Sequence, residues 1–290
     1  MIIIKLQGGL GNQMFQYAAG KQLAFKHKTI LKLDISSYEF DELRKFALKN
    51  FNIDANIANK DEISKLKINI KLEDRYRKRL LYLINNFKTN HFREKERIFN
   101  KKFNKLGDNT YLEGYFQSEK YFSNIDKELT KEFTENFKFS KDQIRIKDLM
   151  QKTDSICVHV RRTDYLTNNK INKEYNVCSL SYYNKAIGYL KKELKKPFIF
   201  IFSDDLEWVK NNFNTNCKQI YIKKDLDISL GDADTLLLMS KCKNFIIANS
   251  SFSWWASKLS QNDNEIKIGP NKWTSILDHR EDLLKDFTKL

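Results

Sequence analysis

Hydrophobic and polar positions follow two rhythms along this chain. Short apolar runs bounded by polar or glycine residues have the length and makeup of buried strands. They fall at Ile2–Gln7, Ile30–Asp34, Ser155–Val160, Phe198–Phe202, Gln219–Ile222, Asn244–Ala248 and Ile266–Ile268. Between them, apolar residues at helical spacing predict helices over Asn12–Lys26, Ser181–Lys195, Leu206–Asn212, Asp232–Lys241 and Phe252–Leu259. A basic amphipathic pattern predicts helix from Lys60 to Ile84, and Tyr111–Phe122 is mixed. The opening strand, glycine turn, helix and strand form a βαβ unit. Beyond residue 150 strands and helices alternate regularly, which implies a parallel, doubly wound sheet. The expected class is α/β, with an N-terminal α/β domain over 1–150 and a C-terminal Rossmann-like domain over 151–290.

Composition narrows this picture. With 290 residues and 41% hydrophobic residues, the chain can bury a sizeable core. No apolar stretch approaches the roughly 20 residues that span a bilayer. The opening "MIIIKLQGGLGNQ" lacks the apolar core of a signal peptide, so the chain is expected to start here and to reside in the cytoplasm. Cys157, Cys178, Cys217 and Cys242 show no CxxC pairing and read as small hydrophobes rather than metal ligands. The net charge of +15 concentrates between Lys60 and Lys105. That balance suits nucleic acid, anionic lipid or merely a solvated lysine-rich surface. No RNA-reading motif accompanies it, so no nucleic-acid partner is expected. A peripheral contact of the 60–105 region with the inner membrane face stays open.

Four stretches carry candidate chemistry. In "LQGGLGNQMFQYAAG", Gly8, Gly9 and Gly11 let the backbone turn tightly ahead of a helix whose N-terminus favours an anion. It is no Walker A loop, and Met14 stands where the dinucleotide fingerprint has its third glycine. Phosphate or sugar near a βα turn, or simply a tight turn, both fit. In "CVHVRRTDYL", a strand delivers Arg161, Arg162 and Asp164 at its tip. Guanidinium forks match phosphate oxygens, and strand tips are where open α/β sheets bind ligands. Adjacent side chains point to opposite faces, so one arginine is expected to meet the ligand while the other pairs with Asp164 or braces the loop.

The strand "FIFIFSDD" ends in Asp204 and Asp205, suited to a guanine edge or to capping the next helix, the latter especially for Asp205. The strand before "NSSFSWW" ends in Asn249, Ser250, Ser251 and Ser253, an uncharged cradle for phosphate, with Trp254 and Trp255 read as packing. A competing metal reading rests on Asp225–Asp227 and Asp232–Asp234, both D-x-D. Acids also suit a helix's first turn, which Asp232 and Asp234 precede.

Taken in order, "GGLGNQMFQYA", "HVRRTDY", "FIFSDD" and "NSSFSWW" resemble motifs of the bacterial α-1,2-fucosyltransferases, as do "GYFQSEKYF" and "VCSLSYY". The resemblance covers most of the chain but not the basic 60–105 segment. It implies a GT-B-like fold of two Rossmann-like domains with parallel sheets and a donor cleft between them. It implies GDP-fucose as donor, inversion at the anomeric carbon and no cofactor or divalent metal. The acceptor would be a galactose-terminated oligosaccharide or lipid-linked glycan on the N-terminal domain's side. The H-x-R-R-x-D pattern falls on His159, Arg161, Arg162 and Asp164, with the arginines at the pyrophosphate. Asp204, with His159, would meet guanine. Asn249, Ser250, Ser251 and Ser253 would hold the β-phosphate, and Gly9, Gly11, Asn12 and Gln13 would face the donor across the cleft. For a general base, Asp164, His159, Glu113 and Glu119 all stay open. The alternatives are a basic nucleic-acid- or membrane-binding protein, or a metal-dependent transferase using another sugar nucleotide.

Overall fold

A computed structural model describes residues 1–67, 90–95, 98–162, 177–213, 215–222, 230–275 and 280–290. The chain divides into two compact units, one of residues 1–49 and 53–132, the other of 50–52 and 133–290. The first holds a parallel sheet of β1 (Ile2–Lys5), β2 (Leu31–Asp34), β3 (Asn56–Ile57), β4 (His91–Arg93) and β5 (Thr110–Glu113) in the order β3-β2-β1-β5-β4. Strands β3 and β4 have too few apolar residues to be heard in the sequence. Helix α1 (Leu10–His27) buries most of its surface, which accounts for its run of small and aromatic residues. Its Gly20 sits so close to the sheet that a Cβ would lie 2.8 Å from Leu31 Cδ1. The close helix–strand approach that a fingerprint glycine gives at the position of Met14 is thus supplied six residues later. Helix α2 (Lys60–Leu66) starts at a capping box in which Asn59 and Glu62 bond each other's backbone N–H. The helix expected beyond Lys67 lies outside the described residues.

The second unit begins inside α3 (Asp126–Thr134), because Phe133 packs against Phe51 at 5.3 Å and edge-on against Trp255 at 5.5 Å. The sequence places the change near residue 150, after α4 (Lys141–Lys152). That helix, like α3, is too polar to stand out from its apolar spacing. Gln143 of α4 donates to Asp234 Oδ1 at 3.1 Å, which binds α4 to the second unit.

From there follow β6 (Asp154–Val160), α5 (Leu180–Glu193), β7 (Pro197–Ser203), α6 (Leu206–Asn212), β8 (Lys218–Tyr221), α7 (Asp232–Met239), β9 (Asn244–Ile246), α8 (Ser251–Lys258), β10 (Lys267–Gly269) and β11 (Thr288–Lys289). The sheet order is β11-β10-β9-β6-β7-β8, parallel throughout. Each unit is therefore an open, parallel, Rossmann-like sheet, as expected. On β6, Ile156, Val158 and Val160 pack with Tyr182, Tyr183, Leu190, Ile199 and Val209. Each such fully buried aliphatic side chain contributes about 1.5–3 kcal/mol. Cys157 lies wholly buried beside Cys242, and burial and that neighbour push its thiol pKa up, so it behaves as an inert hydrophobe.

The turn after β1 depends on Gly8, whose φ is +77° and whose added Cβ would stand 2.8 Å from Asn12 Nδ2. Gly8→Ala is expected to cost about 1–2 kcal/mol of stability, the ordinary penalty of a left-handed L-residue. Urea unfolding would measure it, and an unchanged midpoint would show that the turn relaxes without strain.

Candidate nucleotide-binding site

In each sheet the strand order reverses beside a central strand, and ligands of open α/β sheets bind outside the carboxyl ends at that point. In the second unit the reversal lies between β6 and β9. The arginines leave β6, the serine loop leaves β9, and the aspartates leave β7, the other neighbour of β6. The β6–β7 register ends at Val160↔Ser203, so Arg161 and Arg162 emerge opposite Asp204 and Asp205. Asp204 Oδ1 accepts the Arg162 backbone N–H at 2.9 Å, and its Oδ2 lies 3.3 Å from Arg161 Nε. Asp205 caps α6 by accepting from Trp208 N at 3.1 Å, and its other oxygen accepts from Arg162 Nε at 3.3 Å. The Arg162 guanidinium also lies 3.4 Å above the Trp208 ring, a cation–π stack.

This geometry separates the two arginines. Arg162 is held on the α6 side by Asp205 and Trp208. Arg161 lies on the other side of the strand with His159, whose ring faces Phe252 of α8 at 5.9 Å. Asp204 and Asp205 brace both cations, while Asp164, the partner the sequence suggests for one of them, lies outside the described residues. His159 is 5% exposed, and its Nδ1 finds no hydrogen-bond partner among the described residues. Burial, then the nearby Arg161 charge, lower its pKa to about 4 against a smaller opposing pull from Asp204. It is a neutral imidazole at neutral pH.

The serine loop divides likewise. Ser250 caps α8 by accepting from Phe252 N at 3.4 Å, and Ser250 and Ser251 are half-buried at the helix N-terminus. Asn249, 2% exposed, donates to Trp273 O at 2.9 Å and accepts from Cys178 Sγ. Ser253 is fully buried and donates to Ala248 O at 3.4 Å. Asn249 and Ser253 shape the loop, and the two flanking serines face out. Trp254 and Trp255 pack as expected, T-shaped at 5.2 Å with Trp254 Nε1 donating to Leu283 O.

The competing acidic motif has a structural use. Asp234 accepts from Gly231 N at 3.2 Å and from Gln143, closing the N-terminus of α7. Asp225 and Asp227 lie outside the described residues, and no cluster of three metal-ligating side chains occurs among the described ones.

In the first unit the strand order reverses between β1 and β5, and the glycine turn sits at that carboxyl edge. Gly9 is the N-cap of α1, and Gly11 lies buried in its first turn. Asn12 is half-buried and accepts from Gln117 Nε2 at 2.7 Å. Gln13, expected to face the donor, is fully buried instead. Its amide N donates to Gly8 O and Lys45 O, and its oxygen accepts from Ala47 N and Leu48 N. That saturates the amide and makes Gln13 the clasp between the turn and residues 45–48. Glu113 receives hydrogen bonds from Lys5 at 3.0 Å, His91 at 3.1 Å and Arg93 at 2.7 Å. Burial works to raise its pKa, but the hydrogen bonds from Arg93 and Lys5 outweigh it and lower it to about 2, unsuited to a general base. Glu119 is 9% exposed.

Sequence reasoning missed the supports. Trp208 stacks Arg162, and two tyrosines pin strand-end carbonyls: Tyr182 donates to Ile247 O at 2.7 Å and Tyr183 to His159 O at 3.0 Å. The two tyrosines stand in "VCSLSYY", which the sequence marks by its family resemblance without assigning either a role.

A family model described as glycosyl transferase family 11 matches residues 1–285. An α-1,2-colitosyltransferase of Escherichia coli is 34% identical over 284 residues, 94% of this chain and 92% of that protein. The O-antigen biosynthesis glycosyltransferase WbnK of Escherichia coli is 33% identical over 291 residues, 92% of this chain and 93% of its own. A galactoside 2-α-L-fucosyltransferase of Caenorhabditis elegans is 27% identical over 161 residues, 52% of this chain and 43% of that protein.

The buried neutral His159 makes stability depend on pH. Its folded pKa, about 4, lies below the unfolded value near 6.5, so the unfolded state binds the proton first. Stability is therefore full above about pH 6.5 and falls as pH drops toward 4. Between pH 7.5 and 5 the expected loss is roughly 2 kcal/mol, readable by denaturant titration. His159→Gln is expected to flatten that slope; an unaltered slope would assign the pH dependence elsewhere.

Proposed function

The chain belongs to glycosyl transferase family 11, and from that membership we propose an inverting, metal-independent α-1,2-fucosyltransferase. It moves L-fucose from GDP-fucose to a terminal galactose of a surface glycan. One observation carries the reading: β6 presents Arg161 at the switch point, beside His159 and the N-terminal turn of α8. Breaking the bond between fucose and phosphate leaves a GDP whose new charge must be met as it forms. A fixed guanidinium beside the N-terminal, positive end of a helix dipole does so without reorganising. Because the fucose of GDP-fucose is β-linked, an α product requires attack from the opposite face. The carboxylate of Asp204, at the tip of β7, would accept from a guanine edge.

A second reading concerns the sugar alone. The likeness to a colitosyltransferase supports GDP-colitose as donor, colitose being fucose without its 3-hydroxyl. Transfer assays with both donors and lactose as acceptor separate the two. A site that hydrogen-bonds that hydroxyl would prefer GDP-fucose by orders of magnitude.

Thermal unfolding is expected to shift upward with GDP and not with UDP, CDP or ADP, equally with EDTA present. A shift abolished by EDTA would restore the metal-dependent alternative. Arg161→Ala is expected to lower kcat/KM by about 10²-fold or more, with a smaller loss in Arg162→Ala, whose side chain braces the loop. A folded Arg161→Ala enzyme turning over at the wild-type rate would sink the assignment.

A further inference from the structure

Helix α1 has its glycine turn at one end and, about 27 Å away at the other, a cationic surface that no step above uses. The last turn of α1 meets the segment 101–105 there: Lys26 Nζ donates to Asn104 O at 2.6 Å and His27 bonds Leu106 O at 2.8 Å. Lys26, Lys28, Lys101, Lys102, Lys105 and Lys120 are all exposed. Asp108 is the exposed acid on the same stretch, and no ion pair to a carboxylate involves any of the six among the described residues. Among these lysines stand two exposed apolar side chains, Phe25 at 55% and Ile30 at 58%. Phe25, Lys26 and Lys120 also line a groove of about 380 Å³ floored by Phe103 and Tyr121.

We propose that this end of the first unit is a peripheral docking surface for a bilayer of anionic phospholipid. Six uncompensated lysines supply attraction to lipid phosphates that falls off within a Debye length. Phe25 and Ile30 supply apolar side chains to sink below the headgroups, which distinguishes a bilayer from RNA. An aliphatic side chain and one phenyl ring make no stacking platform for bases. The surface takes in the end of the basic 60–105 segment, at Lys101, Lys102 and Lys105, and joins it to lysines at the end of α1 and to Lys120. Resting on the function proposed above, such docking would hold the glycine turn about a helix length from the membrane, where the outer sugar of a lipid-linked glycan stands.

The test is co-sedimentation of the full chain with phosphatidylcholine vesicles and with phosphatidylcholine–phosphatidylglycerol vesicles. Binding is expected only to the anionic vesicles and should weaken steeply with salt. The triple variant Lys101→Glu, Lys102→Glu, Lys105→Glu should lower the affinity by about tenfold or more, and Phe25→Ser by several-fold. The control Lys192→Glu, Lys195→Glu, Lys196→Glu on and after α5 changes net charge equally and should keep binding, with circular dichroism checking each fold. Absent wild-type binding, equal loss in the control, or retained binding in the first triple variant would overturn the proposal. So would capture of single-stranded RNA through these lysines with vesicles ignored. Transfer to a soluble disaccharide should be unchanged in all variants. If that transfer is missing while vesicle binding holds, the enzymatic reading fails and the docking surface stands.

Discussion

The register between β6 and β7 governs the second unit. Seven residue pairs align from Asp154↔Pro197 to Val160↔Ser203, and they bring two arginines out opposite two aspartates. A slip of one residue would turn every side chain of β6 to the other face. It would pull Ile156, Val158 and Val160 out of their packing against α5 and into the space that Cys157 and His159 fill, and point Arg161 at α6. Apolar burial over the length of the strands thus enforces the position of the charges at their ends. The aspartates then restrain long side chains that would otherwise spend entropy on reaching a phosphate. Trp208 completes the restraint on Arg162.

Polar residues at both carboxyl edges fall into two kinds. Gln13, Asn249 and Ser253 are buried and hydrogen-bonded, chiefly to backbone groups, so they set the shape of the loops that carry them. Gly9, Asn12, Ser250 and Ser251 lie half-buried at the N-termini of α1 and α8, where the helix dipole favours an anion. Removing a member of the first kind would leave buried donors or acceptors unmet at about 1–3 kcal/mol each. Of the second kind Ser250 also caps α8, a contribution of about 0.5–2 kcal/mol. Glu113 belongs with the first: the cations Lys5 and Arg93, with a hydrogen bond to His91, hold it as a carboxylate, which ties β1, β4 and β5 together in their sheet.

Much of this was legible in the sequence. The βαβ opening, the strands carrying arginine, aspartate and serine tips, and α6 from Leu206 to Asn212 all follow from apolar runs and their spacing. Asp205 as a helix cap and Asp234 as a helix-terminal acid were likewise readable from position alone. Strands β3 and β4 were not, because two- and three-residue edge strands carry no periodicity. Helices α3 and α4 were missed because few of their residues are apolar, and the unit boundary moved with them.

The sequence by itself determined which residue types stand at the strand tips, since side-chain chemistry and the two-residue period of a strand need no partner. It determined too that adjacent arginines must part to opposite faces. Which face belongs to which arginine was decided only by the tertiary structure, because that depends on the helix packed on each side. Trp208 and Asp205 claim Arg162, and the Phe252 side leaves Arg161 beside His159. The same holds for Gln13. Its place in a glycine-rich motif suggests a ligand contact, yet residues 45–48, more than thirty positions along the chain, fold back and consume its hydrogen bonds. A local pattern can state what a side chain offers, and only long-range packing states what takes it.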